Sequence, residues 1–474
     1  MNIRAWSTAR RPMTTDRTKP HPEAQMELAV SESSAPRSGA TGRRVLIWAV
    51  VTGLAIRFVV VALAYKGFLD PQREHWLFAF EIGKIAQSIV LGHGFGNIYY
   101  GGPTGPTAQI APVLPYILAG IFAVFGIYTK AAAIAMLGLN SIFSALTCVP
   151  IYFVARRTLG VRVARWATWA WAVFPYAIYF SADSMWDHAL VTLLLTSILW
   201  AALALERSSR KISWVGFGLL CGFSALVNPV VLSVVVVLGA WAVYRLYRNG
   251  CAWRLRALTA AAVTCAVIAP WLVRNFRVFH APLFLKDDLP LELCAGNLGG
   301  SLYWWNPAIH PSGSAAQMVR FHRIGEQAYM AANWSSFRDF LEQHPGTYLW
   351  RSVRRFVYVW TGYWSFNARY LQEEQFDLAD IPFRTALTLL ALFGLLRAFQ
   401  ERPEQSVPFA LMLFFFPIVF YLTHPEIAYR GPIDPEIVVL ACYAVSRLRR
   451  RQETIIPLDI EAPTSAPASE CLLR

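Results

Sequence analysis

The chain has 474 residues, of which 56% are hydrophobic and only 15% charged, with a mean hydropathy of +0.39. A soluble protein of that length needs far more polar surface, which excludes an ordinary cytosolic enzyme and a disordered tail protein. The formal net charge of +14 would suit a nucleic-acid partner, so it must first be tested against membrane topology.

Residues 1–42 are rich in Ser, Thr, Pro and Arg and lack an apolar core segment, so they read as a disordered cytoplasmic tail and not as a cleaved signal peptide. Arg43 and Arg44 then precede a first apolar run, Val45 to Tyr65. Basic residues ahead of a first span hold that end inside. Further spans are expected near 131–155, 164–182, 187–205, 212–227, 229–246, 257–273, 383–399, 407–423 and 433–447, the pair around Asn228 and Pro229 forming a helical hairpin. The segment Ala111–Gly126 is short and carries Pro112 and Pro115, so it is read as re-entrant or interfacial. About ten spans result, within a range of 10–13, with both termini inside. Residues 43–448 form one membrane domain and 449–474 a second cytoplasmic tail.

This topology accounts for the charge. The inside segments carry a net +15 and the outside segments −3, and Arg57 and Arg384 lie within apolar runs. The basic excess is thus a membrane-orientation signal, and no nucleic-acid partner is implied. Arg57, deep in its span, should pair with an acid or reach a cavity. Of the seven cysteines, Cys148, Cys221, Cys265 and Cys442 lie in apolar runs as small hydrophobes, and no disulfide framework or zinc site is implied.

Two outside segments are large, 66–130 and 274–382. Leu349–Trp364 in the second is aromatic and basic and suits an amphipathic helix on the outer membrane surface. The outer face also gathers acids. Asp70, Glu74 and Glu81 follow the first span, and Asp183 and Asp187 stand at the junction of the third and fourth. Carboxylates at a membrane border cost free energy when desolvated, so two groups on one face read as paired or functional. Glu81 lies at the start of an amphipathic helix, where the helix dipole favours an anion, and that helix should end at Gly92. Gly101–Pro115 is a stiff loop entering the membrane. Arg430 is the only base between the last two spans. A guanidinium there suits a lipid-borne phosphate, and Arg274 is a second candidate.

In order along the chain stand Ile85-Ala86, Gly92-His-Gly-Phe95, Pro112–Pro115 leading to Phe125-Gly126, Ala155-Arg-Arg-Thr-Leu-Gly160, Phe174-Pro-Tyr-Ala-Ile-Tyr-Phe180, Pro270-Trp-Leu-Val-Arg-Asn275 and Tyr429-Arg-Gly-Pro-Ile-Asp-Pro435. Over roughly 45–447 this series resembles the GT-C membrane glycosyltransferases, and within them the bacterial relatives of protein O-mannosyltransferases and of the lipid A aminoarabinose transferase. The resemblance implies an all-α polytopic fold with juxtamembrane helices in its outer loops. It implies a bacterial-type inner membrane and an active site on the outer, periplasmic face. The implied donor is a polyprenyl-phosphate-linked hexose or pentose, and the acceptor a hydroxyl of a protein, lipid or glycan in the cell envelope.

Many relatives carry an adjacent acid pair in the first loop, whereas Asp70, Glu74 and Glu81 are dispersed. Glu81 is the preferred catalytic base because it directly precedes the Ile-Ala helix and the Gly-His-Gly-Phe turn, with Glu74 next. Asp187 matches the second acid better than Asp183. His93 is a weaker substrate contact. A carboxylate would take the acceptor proton, Arg430 or Arg274 would stabilise the departing lipid phosphate, and the anomeric centre would invert. No cofactor is required. A divalent metal could sit among clustered acids, but the lipid-monophosphate branch does not imply one. The competing reading is a multi-pass lipid or sugar transporter, which would explain the spans and Arg57 but neither the outer acids nor the long outer segments.

Overall fold

The computed structural model describes residues 22–64, 78–206, 208, 210–299, 306–362 and 377–455. It divides into a short unit, Met1–Val45, and a main unit, Leu46–Arg474, which holds all the functional chemistry discussed below. Among the described residues every element is helical, apart from one isolated bridge between Gly96 and Pro106.

Helix α1 (Pro22–Ala64) is followed by α2 (Glu81–Val90) and α3 (Val113–Phe125). Helix α2 buries Ile82, Ile85 and Ala86 on one face and ends at Gly92, whose positive φ of 82° suits a residue without Cβ. Helix α3 has 13 residues, about 20 Å at 1.5 Å per residue, against a hydrocarbon core of about 30 Å. It packs on α2, and its length agrees with a segment that does not cross alone.

The bundle follows as α4 (Lys130–Leu146), α5 (Cys148–Thr158), α6 (Val161–Ala172), α7 (Pro175–Ala182), α8 (His188–Leu205), α9 (Lys211–Val227), α10 (Leu232–Arg248) and α11 (Arg254–Phe279). Pro175 opens α7 because its fixed φ and missing N–H fit only the first helical turn, so the expected span 164–182 is two helices. The hairpin at Asn228 is a single 3-10 turn, Pro229–Val231, with the Asn228 side chain accepting from the Val230 N–H at 3.0 Å. Beyond the bundle lie α12 (Leu289–Asn297), α13 (Ala315–Gln343) and α14 (Pro345–Thr361), then α15 (Asp377–Glu401), α16 (Pro403–Phe415), α17 (Ile418–Leu422), a 3-10 stretch (Ile427–Ile433) and α18 (Asp434–Ile455). Seven described helices are long and apolar enough to cross a membrane, and α3 and α9 are shorter apolar helices. The molecule is thus an all-α polytopic membrane protein, as the composition required.

Helix α14 is the expected amphipathic element. Leu349, Trp350, Val353, Phe356 and Val357 form one exposed apolar stripe at helical spacing. On its other face Arg355 is wholly buried.

Both ends of α8 are charged. At its C-terminal end, Glu206 meets Arg157 at 2.7 Å and Arg245 at 3.4 Å, and Arg245 meets Glu404 at 2.6 Å. Arg402 donates to the Thr158 carbonyl at 2.8 Å, and Arg447 pairs with Glu401. The basic loops assigned to one side from the sequence therefore do gather at one end of the bundle. Asp187 stands just before the other end of α8, about 27 Å away for 18 helical residues.

Of the two alternatives expected for Arg57, pairing with an acid is not met, since no acid is among its described partners. Its Nε donates to Ser144 Oγ at 3.0 Å and its Nη1 to the carbonyls of Gly53 and Ala172 at 2.9 and 3.0 Å. Neutral oxygens of three helices take the place of a counter-ion.

Candidate active site

Asp187 is held from the side. Asn228, at the start of the 3-10 turn, donates through Nδ2 to Asp187 Oδ2 at 2.9 Å. The other oxygen, Oδ1, lies 3.9 Å from His188 Nδ1. Beside His188 runs a pocket lined by Trp171, Tyr176, Phe180, Thr192 and Asp434. Asp183 is buried at the C-cap of α7.

The segment after α11 brings a dense charged run to this region. Lys286 Nζ lies 2.6 Å from Asp288 Oδ2. Burial opposes the Lys286 charge, but Asp288, Glu292 and Asp187 outweigh it and hold the amine above the ordinary lysine value. Glu292, on the first turns of α12, faces His424 with Oε2 to Nδ1 at 3.4 Å, and His424 Nε2 lies 3.2 Å from the Tyr429 hydroxyl. Burial and the Asp288 charge push the Glu292 carboxyl up to about 8, with Glu426 and Glu81 adding to the rise. Burial pushes His424 down to about 3, so it is neutral. Burial and the surrounding acids Glu426, Glu292, Asp288 and Asp187 raise the Tyr429 hydroxyl well above its ordinary value. A cluster of Asp187, Lys286, Asp288, Glu292, His424 and Tyr429 thus forms from three stretches of chain.

Glu81 stands at the N-terminus of α2, and its charge reaches Glu292 and Tyr99. Asp70 and Glu74 lie outside the described residues. His93 is exposed on the turn after α2, its backbone N–H bonded to the Ser88 carbonyl. The stiff loop beyond it is fastened across the molecule: buried Glu326 of α13 accepts from the Ala108 N–H at 2.7 Å and Gln109 Nε2 at 2.9 Å. Gly96 is required there, because a Cβ would stand 2.3 Å from the Gly105 carbonyl oxygen.

Both arginines proposed from the sequence have protein partners. Arg430 is 1% exposed and bonds Asp434 Oδ1 at 2.8 Å, with Nη1 on Thr388 Oγ1 at 3.2 Å and the Trp360 carbonyl at 3.3 Å. A second buried pair, Arg384 with Asp380 at 2.9 Å, acts on it electrostatically. Arg274 donates to the carbonyls of Thr107 at 2.7 Å and Phe95 at 2.8 Å, with its guanidinium over the rings of Trp271 and Phe95. Sequence reasoning assigned no role to Lys286, Asp288, Glu292, His424 or Tyr429. The run Lys286-Asp287-Asp288, charge-dense beside an apolar span, was the available signal. Among the described residues, no group of three His, Cys, Asp or Glu side chains is arranged to hold a metal ion.

Residues 109–273 match the family model of the dolichyl-phosphate-mannose-protein mannosyltransferases. No curated protein matches the chain. The fold is similar to that of the oligosaccharyltransferase AglB from Archaeoglobus fulgidus in complex with an inhibitory peptide and a dolichol-phosphate, with a TM-score of 0.50 and 14% identity over 90% of this chain and 52% of that one. The same archaeal enzyme tethered to an acceptor peptide gives a TM-score of 0.51 and 13% identity, covering 87% of this chain and 50% of that one. ArnT from Cupriavidus metallidurans bound to undecaprenyl phosphate gives 0.35 and 14% identity over 86% of this chain and 79% of that one. The chain spans about half the length of the archaeal enzymes it matches.

Proposed function

We propose that the chain is an integral-membrane glycosyltransferase that moves a hexose or pentose from a polyprenyl-phosphate donor to a hydroxyl acceptor, with inversion. The observation that carries this reading is Asp187, held by Asn228 at 2.9 Å and set beside His188, whose ring stands 6.3 Å from that of Tyr429. A carboxylate fixed by a neutral donor and set near a cation suits proton abstraction from a hydroxyl. The archaeal enzyme of similar fold is described with a dolichol-phosphate, a lipid phosphate of the class proposed. Positive charge gathers at the far end of α8, which supports an outer, periplasmic location for Asp187 and a cytoplasmic one for both termini.

In the reaction, the acceptor oxygen bonds the anomeric carbon as the carbon–oxygen bond to the phosphate breaks. The bonding pair leaves with the phosphate oxygen, and the hydroxyl proton passes to a carboxylate, Glu81 or Asp187. Attack opposite the leaving group inverts the centre. No metal is required in this scheme. The test is transfer from an undecaprenyl-phosphate sugar by the full chain in membranes. Glu81→Gln and Asp187→Asn at wild-type expression should each lower kcat by about 10²–10⁴-fold. Undiminished transfer in both variants would remove the site, and no consumption of the donor by the wild type would remove the function.

A further inference from the structure

We infer that Lys286 is the residue that receives the phosphate of the donor lipid, an assignment that rests on the function proposed above. The argument begins with what the acids exclude. The Asp288 carboxylate stands 2.6 Å from Lys286, the Asp187 charge acts on the same amine, and Glu292, pushed up to about 8, follows on α12. A phosphodiester carries one negative charge and the released phosphate nearly two, so neither enters such a region without a cation facing it.

The guanidinium groups around the site are already committed. Arg430 is sealed against Asp434, and Arg384 against Asp380 and the Ile427 carbonyl. Arg274 is spent on the Phe95 and Thr107 carbonyls, where it fastens the loop after α2. Arg355 holds the C-terminal carbonyls of two helices, bonding the Leu422 carbonyl at 3.1 Å and Asn297 Oδ1 at 2.9 Å. These guanidinium groups stabilise helix ends and buried loops, and although Arg430 keeps one buried Nη2 without a hydrogen-bond partner, its side chain is only 1% exposed and sealed from a lipid headgroup.

Lys286 differs on each count. Its side chain remains 26% exposed, where Arg430 is sealed at 1%. Its described ion pair is with Asp288 alone, which occupies one of three ammonium donors and aims the group. Asp187 and Glu292 both lie close enough to act on it. An ammonium is a compact point charge that binds phosphate without a fixed fork geometry, so it can follow the oxygen as charge builds on departure. Lys286 would then bind the donor before transfer and stabilise the leaving phosphate during it, while Asp187 serves the acceptor.

The test compares binding of undecaprenyl phosphate and of undecaprenol to the full chain in detergent. The wild type should prefer the phosphate. Lys286→Met should lose about 10- to 100-fold in affinity for the phosphate and nothing for the alcohol, and Lys286→Arg should recover most of the loss. Asp288→Asn, which keeps the ammonium but frees it from its partner, should bind the phosphate at least as tightly as the wild type. If Lys286→Met retains wild-type phosphate affinity, or if Asp288→Asn falls as far as Lys286→Met, the assignment is overturned, the second result marking the pair as structural. If the wild type shows no preference for the phosphate, the donor class itself is wrong and the functional reading falls with it.

Discussion

Asn228 donates to Asp187 across 41 residues of chain, at 2.9 Å. The bond ties the start of α8 to the turn between α9 and α10, because the same Asn228 side chain also accepts from the Val230 N–H. One amide therefore shapes the hairpin with its oxygen and orients the carboxylate with its nitrogen.

That double use separates two effects of mutation. Asn228→Asp keeps an oxygen for the Val230 N–H but removes the donor to Asp187, so transfer should fall at least about tenfold in kcat, the worth of one hydrogen bond to a charged group, with little change in donor KM. Steady-state kinetics on membranes with matched expression measure this. A rise in donor KM at unchanged kcat would mean that Asn228 serves binding instead.

Gly296 packs the end of α12 against the His424 segment. A Cβ there would stand 2.1 Å from the Thr423 carbonyl oxygen, backbone against backbone, so nothing can rotate away. Gly296→Ala should cost about 1–3 kcal/mol and lower the Tm in detergent. The control is Gly216→Ala in α9, whose Cβ would meet nothing within 4 Å and should be neutral.

Asp287 supplies a pH dependence. Its Oδ2 accepts from Gln327 at 2.9 Å, while its Oδ1 is buried without a hydrogen-bond partner. Burial, then the charges of Glu326 and Asp288, push its carboxyl up to about 8. A folded value above the unfolded one means the folded chain binds the proton more tightly, so stability falls as pH rises from about 4 to about 8. Asp287→Asn places an uncharged group at the same position, and the fall in Tm between pH 5.5 and pH 8 should become shallower. Parallel Tm curves for the variant and the wild type would locate the slope at Glu292 and Glu326 instead.

Sidedness follows from the basic end of the bundle. Arg156 is exposed on the turn beside Arg157, which pairs with Glu206. A single cysteine introduced at 156, with the native thiols replaced, should be shielded from an impermeant outside reagent in intact cells. Labelling there would place this end outside and invert the proposed location of Asp187.

The membrane class, the positions of most spans and an amphipathic helix, expected over Leu349–Trp364 and found as Pro345–Thr361, were legible in the sequence. Apolar runs and a helical stripe such as Leu349, Val353, Phe356 and Val357 are local patterns, and each is complete within about twenty residues. The gathering of the basic loops was legible too, because charge bias records orientation. What each charged side chain does was decided only in three dimensions. Arg430 stood out as the sole base in its loop, yet it bonds Asp434 at the start of α18, and packing brings Thr388 and the Trp360 carbonyl onto its other arm and seals it. Arg57 was expected to find an acid or a cavity and finds carbonyls from two helices and a hydroxyl from a third. Glu292 meets His424, 132 positions along, and the Lys286 ammonium lies in the field of Asp187. Electrostatic partnership depends on distance and on which competing oxygens are nearer, and neither quantity exists until the chain has folded.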